Sequence, residues 1–283
     1  MFTYRLLSAA DSDSLFECFL TAFSDYQAFM QMSREEFDQR LARDGVRLEI
    51  SAGAFDEGRM IGFYINALGE WNGKRTAYDG GTGVIPAYRR QGVAEELFAF
   101  MTPRLVEAGV SQYLLEVLTV NERAVALYRK LGFVEKRRLA VFRRSEPLKV
   151  VDDPSIRRVE KLDWELFKSF WDGYPSWQKS SDCVERVANA RVVVCAYVDD
   201  RCVGYGVAFK PGASLMQLAV DPAHRRKGIG SRILSRLQSE ISETESLKVN
   251  NIDEELKGTL AFYEANGFQM VLEQFEMLKA LTK

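Results

Sequence analysis

Apolar residues recur along this chain in two rhythms, every second position and every third or fourth, and the same succession runs twice. In the first half, residues 2–7 alternate as a short strand. A helix follows, capped near Ser8 or Asp11, with Leu15, Phe16, Phe19, Leu20 and Phe23 as its apolar stripe. A second helix is expected after Ser33, with Phe37 and Leu41 one turn apart. Strands are expected at 46–55, 60–68 and 76–85. Asp56-Glu57-Gly58 reads as a hairpin turn between the first two, and 70–74 as a polar loop before the third. Residues 92–107 carry Val93, Leu97, Phe98, Met101 and Leu105 at helical spacing, with Pro103 expected to kink or end the last turns. A buried strand at 113–118 leads to Asn121, which caps a short helix bearing Ala124, Leu127, Tyr128 and Leu131 and stopped by Gly132; 134–143 is a final strand.

The second half repeats this order. Ile156-Arg157 answers Tyr4-Arg5, and Leu166, Phe167 and Phe170 answer Leu15, Phe16 and Phe19. Strands at 191–198 and 202–209 flank Asp199-Asp200-Arg201, and Lys210-Pro211-Gly212 turns into a strand at 214–220. Roughly 135 residues separate Gly92 from Gly228, Tyr128 from Tyr263 and Gly132 from Gly267, a spacing far longer than a solenoid repeat. The pattern implies duplication of a whole domain: 1–144, a linker at 145–154 where Pro147, Asp152, Asp153 and Pro154 interrupt the apolar rhythm, and 155–283. The first half is longer ahead of Gly92 than the second is ahead of Gly228, and the surplus is expected in its second helix and the 70–74 loop.

Composition narrows the function. At 283 residues, with 47% apolar residues and 18 phenylalanines, the chain can fill two cores. A net charge of −2 argues against a nucleic-acid partner, and the pairs Arg137-Arg138, Arg143-Arg144 and Arg157-Arg158 read as solvated surface. Cys18, Cys183, Cys195 and Cys202 form no C-x-x-C pair and His224 is the one histidine, so no metal site is expected and histidine-based nucleophilic catalysis has little to draw on. No signal peptide or membrane span is visible, and a cytoplasmic setting is expected.

The chemistry concentrates in a turn that occurs twice, Pro86-Ala87-Tyr88-Arg89-Arg90-Gln91-Gly92-Val93-Ala94 and Pro222-Ala223-His224-Arg225-Arg226-Lys227-Gly228-Ile229-Gly230. Each follows a strand, ending Val84-Ile85 or Ala219-Val220, and opens a helix. Unpaired amides at a helix start, its dipole and a glycine that lets a ligand approach the backbone all favour an anion; the arginines and Lys227 add charge.

These turns read R-x-x-G-x-A and R-x-x-G-x-G, and they resemble the pyrophosphate loop of the GNAT superfamily of N-acetyltransferases. A second match, Leu115-Glu116-Val117-x-x-x-Asn121-x-x-Ala124-x-x-Leu127-Tyr128-x-x-x-Gly132-Phe133, resembles the GNAT enzymes that acetylate protein N-terminal amines. The resemblance implies an α+β fold of α/β/α layers in two domains, each a mixed, mostly antiparallel sheet splayed between its fourth and fifth strands. It implies acetyl-coenzyme A as cosubstrate and a small-molecule or peptide amine as acceptor. By the same resemblance the coenzyme contacts Val84, Arg89, Arg90, Gln91, Gly92, Val93, Ala94 and Asn121. In the second half it contacts Val220, Arg225, Arg226, Lys227, Gly228, Ile229 and Gly230. Tyr128 would protonate the departing thiolate, Tyr263 holds the matching place, and Glu116 would take the amine's proton directly or through water.

Elementary chemistry asks for the same parts: an ammonium must lose a proton before it attacks a thioester, and a tyrosine suffices to protonate a thiolate. Asp79 and Glu70 are substitutes for Glu116 as base. Core packing is the alternative for Tyr128, and an exposed alternating position the alternative for Glu116. The second half departs from the pattern: Lys248 is expected where Glu116 stands, Leu256 falls at the place of Asn121, and Asp253 reads as the helix cap. It is open to binding coenzyme without catalysis, to catalysis with another base, or to a scaffold role. The first half is expected to be catalytic. The rival for the whole chain is a coenzyme A-binding regulatory protein with lapsed catalysis. The acceptor pocket carries no motif; Phe23, Tyr26, Phe29, Trp71, Trp171 and Trp177 are aromatic candidates for it.

Overall fold

The computed structural model describes residues 1–25, 32–242 and 244–281. The first half runs β1 (Thr3–Leu6), α1 (Ser12–Ala22), α2 (Arg34–Asp44), β2 (Ala52–Asp56), β3 (Arg59–Trp71), β4 (Lys74–Val84), α3 (Val93–Glu107), β5 (Gln112–Leu118), α4 (Glu122–Lys130) and β6 (Val134–Arg143). The second runs β7 (Ile156–Val159), α5 (Trp164–Ser169), α6 (Ser181–Arg186), β8 (Arg191–Val198), β9 (Arg201–Phe209), β10 (Ser214–Val220), α7 (Ile229–Ile241), β11 (Lys248–Asp253), α8 (Lys257–Ala265) and β12 (Gln269–Ala280).

By contact the chain forms two units, Met1–Lys136 with Phe275–Lys283, and Arg137–Gln274. This differs from the division expected at 144 and 155. The boundaries fall inside β6 and β12, and the end of the chain completes the core of the first unit. Phe275, Met277 and Leu281 are buried with Leu97, Phe98, Tyr113 and Phe133, and the Leu281 amide donates to the Ser111 carbonyl at 2.9 Å.

In the first unit the strand order is β1-β2-β3-β4-β5, with β12 beside β5. Alternation along β3 builds the layers. Phe63 meets Phe19 of α1 and Phe23 just after it, whereas the next residue, Tyr64, meets Phe98 of α3, so helices cover both faces. Antiparallel pairing holds from β1 to β4, but β4 and β5 are parallel and pair over Thr76↔Gln112, Ala77↔Tyr113 and Tyr78↔Leu114 alone. Beyond Tyr78 the two strands part. A bulge at Gly80, between Ile65↔Gly81 and Asn66↔Asp79, lies at the point of parting.

The second unit has the order β6-β11-β10-β9-β8-β7. Tyr205 stacks on Phe167 of α5 at 3.9 Å, while a Cβ on the next residue, Gly206, would lie 2.6 Å from Ile233 of α7; again the helices take opposite faces. β10 and β11 pair in parallel over Ser214↔Lys248 and Leu215↔Val249 and then part, beside a bulge at Met216. Each unit is therefore a mixed, mostly antiparallel sheet splayed between its fourth and fifth strands.

Several local expectations are corrected. Residues 46–55 are not one strand: Leu48–Ile50 is a 3-10 turn and β2 begins at Ala52. The polar loop at 70–74 is a tight hairpin, with Asn72 and Gly73 both left-handed (φ 50° and 70°) and their neighbours continuing the strands. Asn-Gly is the sequence signature of that turn. The surplus of the first half lies in α2 and in the longer arms of this hairpin. Pro103 does not end α3, which continues to Glu107. Asp253 closes β11; Leu256 is the residue that caps α8.

Candidate active site

Both turns have the same backbone course. A 3-10 turn, Pro86–Tyr88 or Pro222–His224, is followed by a left-handed arginine, Arg90 (φ 63°) or Arg226 (φ 60°), and a left-handed glycine, Gly92 (φ 79°) or Gly228 (φ 76°). The first helical hydrogen bond of α3 is donated by Glu96 to the Gly92 carbonyl at 3.0 Å, and that of α7 by Arg232 to Gly228 at 3.2 Å. The amides of Val93, Ala94 and Glu95, and of Ile229, Gly230 and Ser231, precede those bonds, and a glycine cap offers them no side chain. The side chains of Val93 and Ile229 are buried, pinning the helix starts to the core. Gly230 must lack a side chain, since a Cβ would lie 2.8 Å from the Phe262 ring.

The arginines divide into two jobs that sequence did not separate. Arg89 donates to the Val84 carbonyl at 3.1 Å, to Ala22 at 2.8 Å and to both oxygens of Asp25 at 2.7 and 2.8 Å. Arg225 does likewise with Val220 (2.9 Å), Phe170 (2.9 Å) and Asp172 (2.6 Å). These two guanidinium groups strap the turn to the preceding strand and to the end of α1 or α5, a positioning role that the motif does not announce. Arg90 and Arg226 are exposed, with no ion pair among the described residues, and remain the charge beside the open amides. Gln91 and Lys227 return to the turn, donating to Ala87 (3.2 Å) and Ala223 (3.3 Å). His224 faces Asp221 at 3.0 Å.

Downstream of the first turn, α4 brings Tyr128 into the core, where its hydroxyl donates to Asp79 Oδ2 at 3.3 Å. Asp79 also accepts from the Thr82 hydroxyl (2.6 Å) and the Gly81 amide (2.9 Å). Burial pushes the Asp79 carboxyl up to about 6 against these donors, and burial first, then the Asp79 charge, holds the Tyr128 phenol well above its usual range. Glu116 is elsewhere. Along β5 the side chains of Tyr113, Leu115 and Val117 join the core, so Glu116 lies on the opposite face and accepts from the Tyr78 hydroxyl at 3.2 Å. Tyr78 and Asp79 are sequence neighbours on β4, and they carry these two groups to the two sides of the splay. Asn121 caps α4, its side-chain oxygen accepting from the Ala124 amide at 3.2 Å. Glu70 is exposed near the hairpin end of β3, in register with Arg75.

In the second unit, Tyr263 occupies the place of Tyr128 and is 2% exposed. Its hydroxyl has no hydrogen-bond partner among the described residues, and burial raises its pKa. Strand register corrects one expectation. The bulges at Gly80 and Met216 align Asp79 with Leu215; since Leu215 pairs with Val249, the place of Glu116 falls to Asn250, not Lys248. An irregularity between Val249 and Ile252, with Asn251 left-handed, adds the residue that misled the count. Asn250 accepts from Arg143 at 2.7 Å.

A cavity of about 510 Å³ opens in this unit, lined by the turn from His224 to Ser231 and by Tyr263, Leu256, Trp171 and Tyr205. Its floor is a network that no motif announced. Trp171 donates to the Tyr205 hydroxyl (2.6 Å), Tyr205 to Gln217 (2.6 Å), and Gln217 to the Lys179 carbonyl (2.5 Å). Buried Lys179 donates to the Leu215 carbonyl at 2.5 Å. Of the aromatic candidates, Trp171 lines this cavity and Trp177 is core; Phe23 packs on Phe19. Tyr26 and Phe29 lie outside the described residues. Among the described residues no group of three or more His, Cys, Asp or Glu could hold a metal ion, and no helix is long and apolar enough to cross a membrane.

Comparison with known proteins places both turns within recognised domains. Residues 12–133 match the acetyltransferase (GNAT) family model, and residues 189–270 match a second acetyltransferase (GNAT) domain model. The N-alpha-acetyltransferase MAK3 of Arabidopsis thaliana is 33% identical over 86 residues, 30% of this chain and 45% of that protein; the match thus spans less than half of the relative. Among solved structures, a tandem GNAT protein from the clavulanic acid biosynthesis pathway superposes with a TM-score of 0.74 at 15% identity, covering 100% of this chain and 99% of the other. A GCN5-related N-acetyltransferase from Sphaerobacter thermophilus gives 0.73 at 13% identity, covering 100% and 96%. At these identities the structures speak for the fold.

Proposed function

The chain belongs to the GNAT family of acetyltransferases, with two of its domains, and from that premise we propose that it moves an acetyl group from acetyl-coenzyme A to a primary amine, in its first half. The observation that carries the reading is the first turn's open amides beside a splay that holds a buried tyrosine–carboxylate pair. The residues present fit a coenzyme: the amides of Val93 and Ala94 for the diphosphate, Arg90 for its remaining charge, and the gap beyond Tyr78 for the pantetheine arm. When bound, the coenzyme supplies a thioester carbonyl.

The proton work divides between the two faces of the splay. Glu116 accepts the proton that the ammonium must lose, with Tyr78 holding the carboxylate in place. Tyr128 gives its hydroxyl proton to the leaving thiolate, and Asp79 orients that hydroxyl until then. Asn121 fixes the start of α4 and through it Tyr128. A coenzyme-binding protein with lapsed catalysis shares the cradle but needs neither pair.

Ligand binding tests the premise. Acetyl-coenzyme A at about 100 times its dissociation constant is expected to stabilise the native chain by ~2.7 kcal/mol, read as a raised Tm. An unchanged Tm together with no acetylated product from a panel of amines would retire the proposal.

The pH dependence tests Asp79. Its pKa in the fold, about 6, lies above the ordinary carboxylate range, so the charged form that accepts from Tyr128 is present above that value and lost as pH falls through it. Turnover is expected to drop below about pH 6. Asp79→Asn is expected to remove that limb and lower the plateau. An identical profile in the variant would mean that another group sets the limb.

A further inference from the structure

Two of the four cysteines, which form no motif in the sequence, are brought side by side by strand register. β8 and β9 are joined by a two-residue turn in which Asp199 and Asp200 are both left-handed (φ 48° and 56°), the geometry that fixes the register of a tight hairpin. Tyr197 then faces Cys202, and Cys195 faces Tyr205, with a bulge at Val203 in between. Alternation puts Cys195 and Tyr197 on one face of β8, and their partners Tyr205 and Cys202 share that face, the one α5 covers. Cys195 and Cys202 are thus diagonal neighbours on one ladder, and their thiols hydrogen-bond to each other.

The two sulfurs differ in their surroundings. Both are free thiols; Cys195 is 3% exposed, whereas Cys202, close to the turn, is partly open to solvent. The hydrogen bond from Cys195 lowers Cys202 to about 7 against its own partial burial, while that same bond, and burial after it, raise Cys195. Arg157, opposite Cys195 on β7, sets its guanidinium 5.0 Å from the centre of the Tyr197 ring and brings a positive charge to this face; Asp163 is the opposing charge near Cys202. A partly exposed sulfur that is thiolate near neutral pH, with a second thiol in contact, has the arrangement of an attacking and a resolving cysteine. Cys18 is the contrast: it is buried in the core of the first unit, and burial pushes its thiol up to about 12.

We infer that Cys195 and Cys202 are an oxidation site that takes a hydroperoxide and closes to a reversible disulfide. The Cys202 thiolate attacks one peroxide oxygen, the O–O bond breaks, and the other oxygen leaves with the electron pair, giving a sulfenic acid. The Cys195 sulfur, losing its proton, then displaces the sulfenic oxygen as water and forms the S–S bond. In all, two thiols give up two electrons and two protons, hydrogen peroxide becomes two waters, and a dithiol reductant reverses the change. The site is separate from both turns and independent of acetyl transfer. Tyr205, across the ladder from Cys195, lines the cavity of this unit and donates to Gln217 in its floor, so the pair abuts the cavity wall.

Exposure of the full chain to hydrogen peroxide, followed by alkylation of the remaining thiols and peptide mapping without reduction, tests it. The expected product is one Cys195–Cys202 disulfide within the chain, two hydrogens lighter than the parent and lost again with dithiothreitol, while Cys18 and Cys183 are recovered as alkylated thiols. Cys195→Ser keeps a hydroxyl donor beside Cys202 but no resolving sulfur, so it should stop at a Cys202 sulfenic acid that dimedone traps. Cys202→Ser should leave Cys195 unoxidised under the same exposure. Recovery of both Cys195 and Cys202 as alkylated thiols in the parent, a Cys202 that runs on to sulfinic acid without an S–S bond, or a disulfide that joins two chains would each overturn the inference.

Discussion

A chain stopped after Gln274 should lose the fold of its first unit, although the cut lies at the far end of the sequence. Phe275, Met277 and Leu281 are buried in that unit's core, with Met277 fully so. Burying a side chain of this kind contributes ~1.5–3 kcal/mol. Three of them, with the backbone hydrogen bonds of the strand that carries them, rival the ~5–15 kcal/mol that holds a typical domain together. Amide hydrogen exchange resolves the outcome by region. Residues 1–136 are expected to exchange near the unfolded rate, while β8, β9 and α7 keep their protection. Equal protection of both units in the shortened chain would show that the last strand is dispensable.

The second large effect is chemical. Tyr128→Phe removes one oxygen that donates to Asp79 and leaves a ring packed on Phe133 at 5.6 Å, so the fold should persist. Proton transfer by a positioned side chain supplies ~10²–10⁴-fold, and a turnover loss of that order is expected with coenzyme affinity unchanged. Thiolates are good leaving groups, which favours the lower end. The matching change, Tyr263→Phe, removes a hydroxyl with no carboxylate partner among the described residues, and the two variants together ask whether transfer depends on the first unit. Unaltered turnover in Tyr128→Phe would make that tyrosine a core residue and nothing more.

Sequence made the repeat legible because its anchors are backbone requirements. Gly92, Gly228, Gly132 and Gly267 all have positive φ, where a side chain is strained, so the glycines survive in both copies and mark them. Tyr128 and Tyr263 stand out by their fixed distance from those glycines. What remained hidden depends on partners distant in sequence. Nothing in the motif pairs Arg89 with Asp25 and the Ala22 carbonyl, or Arg225 with Asp172 and the Phe170 carbonyl. Asp79 became the partner of Tyr128 through a bulge at Gly80 that periodicity does not register. The same blindness to bulges put Lys248 in a place that belongs to Asn250. The handover of the last strand is invisible for another reason: β6 and β12 have the alternation of any strand, and nothing in that alternation names the neighbour.

The central claim is that the amides opening α3 receive the diphosphate of a coenzyme A thioester. A crystal structure of the chain saturated with acetyl-coenzyme A addresses it directly. The account predicts diphosphate oxygens within ~2.7–3.2 Å of the Val93 and Ala94 nitrogens, with the thioester reaching the gap between β4 and β5 near Tyr128. A coenzyme bound with its diphosphate away from both turns would contradict it.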